Sequence, residues 1–508
     1  MAEAGPKNVS RAGAWVVGDL LAAQARRRPH ATALVDGDRL LDYSTLNCRS
    51  NRLANALASM GIRRGDRVAI LAENRAEYIE ATYAAAKLGV ILAALNWRLA
   101  RIELSHCVSL VEPKAVIVSP RFVESLKATQ WSGPVVVIGD GYEELLARSS
   151  DEEPSVEVEP EDGLLILYTS GTTGLPKGAL ISHRAELARM DLSRMDLGLV
   201  EGDGFVAWAP MFHMVSLEHA LHTLGMGGKV FVVDGADPEK IADLVATEPQ
   251  WWLVLIPGMI DPLIEEMKRR NIVAKDVRLA GALADLIPPQ TLAEASRLLG
   301  APYWNTFGST ETGMLPAAGT RFAVGEVPDD LSKEHNSLYL WRLVDPSDRD
   351  VERGEAGEIA VRGPTVFSGY WNADEANAQA FRGGWYHMGD MFLERPDGKL
   401  SFVDRSKYLI KSGGENIYPI EIERVLMADP AVVEAVVVRR TDEKWGEVPV
   451  AFVVCQAEVT PEYLIEVCRR DLSTYKCPRE IRLLKSQDEF PRSTSGKVQR
   501  QLVEQWLK

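Results

Sequence analysis

The sequence predicts an α/β fold with mostly parallel sheets, built as a large N-terminal domain of α/β subdomains and a small α+β C-terminal domain. A chain of 508 residues is too long for a single hydrophobic core, so two or more domains are expected. Short apolar runs alternate with helix-type segments, as in parallel sheets covered by helices. In such folds, ligands bind beyond the carboxyl ends of the strands.

The clearest βαβ unit begins at the apolar run 67–71. An alanine-rich segment follows over 73–88, with its large apolar side chains on one side, and 90–95 forms the next strand-type run. Strand-type runs return at 228–233 and 252–256. This alternation predicts the sheets of the large domain.

We assign residues 1–403 to the large domain and 404–508 to the small one. After residue 404 the chain restarts with a strand, a helix at 419–427, strands at 432–438 and 448–454, and a helix from Pro461. A domain of about a hundred residues is of ordinary size. The segment 321–349 is charged and irregular, and we interpret it as a solvated excursion with no assigned function.

The composition is that of a soluble globular protein. Hydrophobic residues make up 46% and charged residues 25%, and the formal net charge of −15 argues against a broad nucleic-acid-binding surface. No apolar run approaches the ~20 residues of a membrane helix, and the N-terminus lacks the layout of a signal peptide. The five cysteines form no C-x-x-C pair and no zinc spacing, which favours reduced thiols. We therefore expect a cytoplasmic protein that neither inserts into membranes nor binds nucleic acid.

A loop of hydroxyls and glycines follows the strand-type run 164–168 and is closed by Lys177. Glycines allow successive backbone N–H groups to point at one anion, and the hydroxyls and the lysine add donors and positive charge, which suits a polyphosphate. The loop is not a Walker A motif, because Pro176 replaces the second glycine and Gly178 follows the lysine. The predicted phosphate-binding residues are Thr169, Ser170, Gly171, Thr172, Thr173, Gly174 and Lys177.

Further motifs follow in order along the chain. They are Asn-Thr-Phe-Gly-Ser-Thr-Glu-Thr-Gly at 305–313, Gly-Trp-Tyr-His-Met-Gly-Asp at 384–390, Phe-Val-Asp-Arg-Ser-Lys at 402–407, Lys-Ser-Gly-Gly-Glu-Asn-Ile-Tyr-Pro at 411–419 and Pro-Arg-Ser-Thr-Ser-Gly-Lys-Val at 491–498. Together with the loop before Lys177, they resemble the signature motifs of the adenylate-forming enzymes. That family includes acyl-CoA synthetases, firefly luciferases and the adenylation domains of nonribosomal peptide synthetases.

The resemblance implies an ATP site. Thr310 would contact the α-phosphate, and Glu311 with Thr172 would hold Mg²⁺, an ion that accepts one carboxylate together with phosphate oxygens and water. Asp390 and Arg405 would bind the ribose, although Met388 departs from the Thr or Ser that is commoner in the family. The remaining implied nucleotide contacts are Gly281, Ala282, Asn305, Thr306, Phe307 and Gly308.

The resemblance also implies two roles for the small domain. Lys497 would be the catalytic lysine of adenylation, where one cation offsets charge on the attacking carboxylate and on the pentacovalent α-phosphate. Lys407 would be the hinge about which the domain rotates between the half-reactions. The residues implied for the thioester step with CoA are Lys411, Gly413, Gly414, Glu415, Tyr475 and Lys476.

The segment 210–214 resembles the wall of the family's acyl pocket and contributes Phe212, His213 and Met214. Its apolar character disfavours acetate and small charged acids, and suits a medium-chain, aromatic or alicyclic acid. Glu218, His219 and His222 follow at helical spacing. We interpret these three residues as a solvated helix face rather than as the end of the pocket.

The implied activity is that of a carboxylic acid–CoA ligase that uses ATP, Mg²⁺ and CoA. An amino-acid adenylation enzyme is disfavoured because 209–213 contains no acid to hold an α-ammonium group. A carrier protein as acyl acceptor, or luciferase-like oxygen chemistry, is not separated by these motifs. A degenerate nucleotide-binding protein would be expected to lose Lys497, Glu311 or Asp390, and all three are present. A homodimer is compatible with the sequence.

Overall fold

The computed structural model describes residues 12–169, 175–256, 258–405, 408–412, 415–492 and 498–507. The chain divides into two compact units. The first comprises Met1–Leu340 with Arg362–Arg382, and the second comprises Trp341–Val361 with Gly383–Lys508.

The first unit contains two main sheets and twelve described helices. Its strands are β1 (Thr32–Asp36), β2 (Arg39–Asp42), β3 (Arg67–Leu71), β4 (Ile91–Ala94), β5 (Ala115–Val118), β6 (Val135–Val137), β7 (Gly163–Thr169), β8 (Lys177–Ser182), β9 (Gly204–Ala207), β10 (Lys229–Val232), β11 (Tyr303–Trp304) and β12 (Arg321–Phe322). Its helices are α1 (Val17–Arg27), α2 (Tyr43–Ser59), α3 (Ala76–Leu88), α4 (Arg101–Val111), α5 (Val123–Ala128), α6 (Asp140–Ala147), α7 (His183–Met195), α8 (Met214–Gly225), α9 (Pro238–Thr247), α10 (Ile260–Arg270), α11 (Pro289–Leu299) and α12 (Asp374–Ala380).

The larger sheet has the order β6-β5-β3-β4-β7-β8 and is parallel except for the antiparallel pair β7–β8. Its central strands are almost entirely buried, which explains why they read as continuous apolar runs. The predicted βαβ unit is confirmed as β3–α3–β4. The helix begins at Ala76 rather than at residue 73, because Arg75 has an extended backbone.

The second sheet has the order β2-β1-β10-β9, with β1, β10 and β9 parallel. The strand predicted over 252–256 is reduced to isolated parallel bridges. These bridges, Phe205↔Trp252, Leu253↔Ala280 and Ala280↔Tyr303, continue the parallel order from β9 to β11. As a result, Gly281 and Asn305 both follow the carboxyl ends of strand-like segments, where ligands of α/β folds bind.

The second unit contains two sheets and three described α-helices. Its strands are β13 (Leu340–Val344), β14 (Ala356–Arg362), β15 (Tyr386–Glu394), β16 (Leu400–Arg405), β17 (Ile410–Ser412), β18 (Glu415–Ile417), β19 (Val432–Asp442), β20 (Gly446–Cys455) and β21 (Glu480–Leu484), and its helices are α13 (Pro419–Met427), α14 (Pro461–Asp471) and α15 (Arg500–Gln505). The sheet orders are β13-β14-β15-β16 and β18-β17-β20-β19, with β21 added on β20. The predicted C-terminal helices and strands are confirmed.

The division of the chain differs from the predicted boundary at residue 404. The strands β13–β16 belong to the same compact unit as the C-terminal elements. One link is the carboxylate of Asp404 at the end of β16, which accepts a hydrogen bond from the backbone N–H of Ile420 in α13. The predicted hinge at Lys407 lies outside the described residues and stays a prediction.

Within the described ranges, none of the helices combines the length and the apolar character that a membrane crossing requires.

Candidate active site

The predicted phosphate loop is closed at its base by a strand pair. Thr169 at the end of β7 pairs with Lys177 at the start of β8, while Ser170–Gly174, including Thr172, lie outside the described residues. The carbonyl oxygen of Pro176 lies 3.0 Å from Nε2 of His106. The ammonium of Lys177 lies 4.9 Å from the centre of the Tyr370 ring. The cation is therefore placed at the mouth of the hairpin that carries the loop.

Tyr370 joins two predicted site residues and was missed by the sequence reasoning. Its hydroxyl donates to Oε1 of Glu311 at 2.9 Å, and its ring faces Lys177. The segment that carries Tyr370 lies along β8, where the N–H of Trp371 donates to the carbonyl of Gly178 at 2.8 Å. Two adjacent aromatic residues after a glycine, at 369–371, were the only signal in the sequence.

A tight turn presents Thr310 and Glu311. Ser309 and Gly313 exchange backbone hydrogen bonds of 3.0 and 2.8 Å across it. Gly308 must be a glycine, because a Cβ there would lie 2.1 Å from the carbonyl oxygen of Gly313. The backbone of Glu311 accepts a hydrogen bond from Phe367 N–H at 2.8 Å, and the residue is largely buried. A single oriented carboxylate of this kind suits Mg²⁺, which takes its other ligands from phosphate and water.

The predicted nucleotide segments around Gly281 and Thr306 lie side by side. The N–H of Leu283 donates to the hydroxyl of Thr306 at 3.2 Å, and the Tyr303 hydroxyl donates to the carbonyl of Ala282 at 3.1 Å. Gly281 has φ +95°, and a Cβ there would lie 2.2 Å from the Tyr303 ring. Phe307 and Gly308 continue the second segment into the Thr310 turn.

The segment 321–349 is largely exposed or half-buried, as the sequence suggested, but its middle packs against the rest of the first unit. Lys333 at its centre is completely buried, with its ammonium 2.6 Å from a carboxylate oxygen of Asp285. It also donates to the side-chain oxygen of Asn305, whose amide donates to the carbonyl of Leu331 at 3.0 Å. The sequence reasoning missed the burial of Lys333, because the carboxylate that neutralises it, Asp285, is distant in the sequence.

The predicted acyl-pocket segment lies directly before α8. Phe212 and Met214 are buried, and His213 caps the helix by accepting the N–H of Val215 on Nδ1 at 3.3 Å. Phe212 meets the Trp97 ring edge-on, with the ring centres 6.0 Å apart.

The interpretation of Glu218, His219 and His222 as a solvated face is wrong. All three side chains are buried. Glu218 and His222 face α7, whereas His219 packs against the rings of Trp251 and Trp252 and contacts the carbonyl of Val215 in its own helix. Glu218 pairs with Arg189 of α7 at 2.5 Å, and Nε2 of His222 lies 3.2 Å from the carboxylate of Glu186.

A cavity of about 190 Å³ adjoins the acyl segment at Pro210. Trp97, Arg98 and Arg121 line one part of it, with the two guanidinium groups 4.9 and 5.3 Å from the Trp97 ring. Asn74 holds another wall by bonding to the backbone of 207–211. Burial lowers the pKa of Arg98. Guanidinium groups beside aromatic faces suit an anionic phosphate or carboxylate group.

The predicted ribose residues are neighbours in the second unit. Asp390 on β15 is directly opposite Arg405 on β16, and Nε of Arg405 lies 3.2 Å from a carboxylate oxygen of the buried Asp390. Two groups that can hydrogen-bond a ribose are thus held by one antiparallel pair.

The predicted CoA-side residues are only partly described. Lys411 lies on β17, Glu415 begins β18, Tyr475 is exposed, and the Lys476 ammonium donates to Glu421 at 2.9 Å. Lys407, Gly413, Gly414 and Lys497 lie outside the described residues, so their roles stay predictions.

Comparison with known proteins agrees with this arrangement over nearly the whole chain. A family model for AMP-binding enzymes matches residues 21–371, and one for the AMP-binding enzyme C-terminal domain matches 421–497. The indoleacetate–CoA ligase of Aromatoleum aromaticum is 35% identical, over 94% of this chain and 95% of that protein. A feruloyl-CoA synthase of an Amycolatopsis species is 33% identical, over 96% and 97%.

Solved structures resemble the chain equally broadly. The o-succinylbenzoate CoA synthetase of Bacillus subtilis, solved with its acyl-adenylate intermediate, is 28% identical with a TM-score of 0.83, over 96% of this chain and 97% of that one. The same enzyme with ATP and a magnesium ion gives a TM-score of 0.82 at 28% identity, over 95% and 98%. The chain therefore belongs to the AMP-binding enzymes, as an ATP-dependent ligase that joins a carboxylic acid to CoA through an acyl-adenylate.

Proposed function

We propose that this ligase activates an aromatic carboxylic acid. The observation that carries the proposal is the aromatic character of the predicted acyl segment, where Phe212 packs edge-on against Trp97. Such edge-to-face contacts offer an aromatic guest the same favourable geometry. Relatives named for indoleacetate and ferulate support the same class. Medium-chain and alicyclic acids are the competing substrates.

In the first unit, the proposed adenylation site includes Lys177, Thr310 and Glu311. A carboxylate oxygen of the acid attacks the α-phosphorus of ATP, the bond to the β-phosphate oxygen breaks, and pyrophosphate leaves. Glu311, oriented by Tyr370, would hold the Mg²⁺ that neutralises charge on the phosphates. Lys177 would bind phosphate oxygens from the base of the loop, and Thr310 would contact the α-phosphate. The protein contributes mainly positioning and charge stabilisation.

In the second half-reaction, the thiol of CoA attacks the acyl carbon and loses its proton, and AMP leaves with the electrons of the broken acyl–oxygen bond. We assign Asp390 and Arg405 to the ribose of the nucleotide, because they lie together on β15 and β16. We assign Lys497 to the first half-reaction. We assign the segment 411–415, together with Tyr475 and Lys476, to the second.

We also propose that the enzyme works in the cytoplasm. Its five cysteines carry free thiols, and three of them are buried. Reduced thiols of this kind are usual where the thiol pool is kept reduced.

The test is pyrophosphate release with MgATP over a panel of acids, each with and without CoA. The panel contains indole-3-acetate, ferulate, benzoate, cyclohexanecarboxylate, octanoate and acetate. We expect release to be fastest with an aromatic acid, to be accelerated by CoA, and to give the acyl-CoA mass. A preference for octanoate or cyclohexanecarboxylate would contradict the aromatic assignment. Release that CoA does not accelerate would point to another acceptor, such as a carrier protein.

A further inference from the structure

Arg189 of α7 is a buried guanidinium that bridges three elements of the first unit. Its Nε donates to the carbonyl of Thr365 at 3.0 Å, and its Nη2 donates to the carbonyl of Thr310 at 3.1 Å. Its Nη1 lies 2.5 Å from a carboxylate oxygen of Glu218 on α8. Side-chain exposures are 2% for Arg189 and 1% for Glu218, so the pair is removed from solvent.

We infer that Arg189, with Glu218 as its counter-ion, is a positioning residue for the turn that carries Thr310 and Glu311. The inference rests on the proposed function, in which Glu311 holds Mg²⁺ and Thr310 contacts the α-phosphate. Arg189 is not assigned a contact with Mg²⁺ or with the α-phosphate. It acts on the backbone of Thr310 and, through Thr365, on the segment whose Phe367 N–H bonds to the backbone of Glu311.

The geometry requires an arginine. Its planar fork reaches three acceptors on three different elements at once, which a single ammonium group on a flexible chain cannot do. The turn is shaped around this side chain, because a Cβ on Gly313 would lie 3.0 Å from Cγ and Cδ of Arg189. Gly313 is in the left-handed region with φ +71°, so a larger residue is disfavoured there both by backbone strain and by its contact with Arg189.

A gain in folding stability does not explain the buried ion pair of Arg189 and Glu218. Buried ion pairs lose more by desolvation than surface pairs and can often be replaced by apolar residues without loss of stability, whereas removal of one partner alone leaves an uncompensated charge. Glu186 and His222 add further buried titratable groups between the same two helices. Placement of the catalytic turn gives Arg189 and Glu218 a function that apolar residues would not supply.

Glu218 also connects the Thr310 turn to the segment that is predicted to bind the carboxylic acid substrate. It lies on α8, which begins at Met214 directly after the predicted acyl-pocket residues Phe212 and His213. A displacement of α8 would therefore be transmitted to Thr310 through the guanidinium group of Arg189, which bonds to both Glu218 and the carbonyl of Thr310.

The test compares the parent with Arg189→Lys and with the double variant Arg189→Met/Glu218→Leu, which removes both charges together. Measurements are ATP binding by calorimetry at graded Mg²⁺, pyrophosphate release with indole-3-acetate, thioester formation from supplied indoleacetyl-AMP, and melting temperature. We expect both variants to need about 10–100-fold more Mg²⁺ for half-maximal ATP binding and pyrophosphate release, as is typical when a group that orients a metal ligand is lost. Thioester formation should stay near the parent rate.

The matched control is Lys87→Met/Glu153→Gln, which removes another pair with a buried cation, at 2.6 Å, that touches no predicted site residue. It should leave the Mg²⁺ dependence unchanged. A folded Arg189→Met/Glu218→Leu variant with the parental Mg²⁺ dependence would overturn the inference. An equal loss of rate in both half-reactions, in parallel with a lower melting temperature, would also overturn it, since that result would indicate a general structural role.

Glu311→Gln, assayed in parallel, separates this inference from the proposed function. If Glu311→Gln keeps the parental Mg²⁺ dependence, the metal role of Glu311 is wrong, and the role of Arg189 falls with it. If Glu311→Gln loses Mg²⁺ affinity while the Arg189 variants do not, only the inference about Arg189 is wrong.

Discussion

Glu186 is a carboxyl group buried between α7 and α8, where the loss of solvent favours its neutral form. Burial raises its pKa to about 7, although Arg189 opposes the shift. Burial also lowers the pKa of His222 to about 3, so the imidazole is neutral at pH 7. A carboxyl oxygen of Glu186 lies 3.2 Å from Nε2 of His222 without hydrogen-bond geometry, while Nδ1 of His222 contacts the Ser193 hydroxyl at 3.1 Å.

This arrangement predicts a pH-dependent stability. The pKa of Glu186 is higher in the folded state than in the unfolded state. The stabilisation that comes from its neutral carboxyl is therefore complete below about pH 4.5 and is lost as the pH rises through 7. Glu186→Gln keeps the size of the side chain but cannot ionise. The free energy of unfolding of the variant, relative to that of the parent, should increase by roughly 2 kcal/mol between pH 5 and pH 8. Thermal melts at pH 5, 6.5 and 8 measure this gain.

The charged and titratable groups that face Glu186 are Arg189, Glu218, His222 and Tyr83. The control is Glu124→Gln, whose side chain is 83% exposed and should show a constant difference over the same range. A gap between Glu186→Gln and the parent that stays constant or shrinks with pH would contradict the assignment of a neutral carboxyl.

The turn 308–313 shows how glycines shape one element of the site. Gly308 allows the backbone to pass the Gly313 carbonyl, and Gly313 leaves room for Arg189. Neither requirement depends on a ligand. The turn is therefore preorganised before ATP binds, which is how an enzyme places charge-stabilising groups without reorganising during the reaction.

Gly308→Ala tests that preorganisation. The new methyl group would lie 2.1 Å from the backbone oxygen of Gly313 and 2.9 Å from Cα of Met314, and backbone atoms cannot turn aside as a flexible side chain can. We expect pyrophosphate release to fall about 100-fold, the scale of loss for a displacement of about 1 Å in a catalytic group. Gly141→Ala is the control, because its Cβ meets nothing within 4 Å. Parental activity in Gly308→Ala would show that the turn tolerates displacement.

Helix α8 illustrates why polar residues at helical spacing were misread. Glu218, His219 and His222 look like a solvated face when only their own helix is considered. The neighbouring α7 supplies Arg189 for Glu218 and Ser193 for His222, and these partners make burial of the two side chains tolerable.

At the scale of the whole molecule, the predicted site residues are divided between two compact units. The phosphate hairpin, the Thr310 turn and the acyl segment belong to the first, whereas Asp390, Arg405 and the C-terminal elements belong to the second. The prediction that the small domain presents Lys497 in one half-reaction and the Lys411–Glu415 loop in the other follows from the family resemblance.

Lys497→Ala tests this division of labour. Loss of one cation from the adenylation step should lower pyrophosphate release about 100–1000-fold, as for other groups that stabilise developing charge. Thioester formation from supplied acyl-AMP should remain close to the parent rate, because the lysine is assigned to the first half-reaction only. Lys485→Ala, an exposed lysine of the same unit, should change neither rate. Equal losses in both half-reactions would show that Lys497 does not act in adenylation alone.

The sequence by itself determined the family, the α/β class, several of the helices and strands, and the positions of the hairpin closed by Lys177, the Thr310 turn and the pair of Asp390 and Arg405. These features are local, because apolar periodicity, glycines and motif order are written in consecutive residues. Only the tertiary structure decided that Tyr370 orients Glu311, that Lys333 is buried against Asp285, and that Arg189 holds the Thr310 turn across 121 residues of sequence. A polar or charged side chain can be buried only where the fold brings it a partner, and the identity of that partner is set by packing between distant segments.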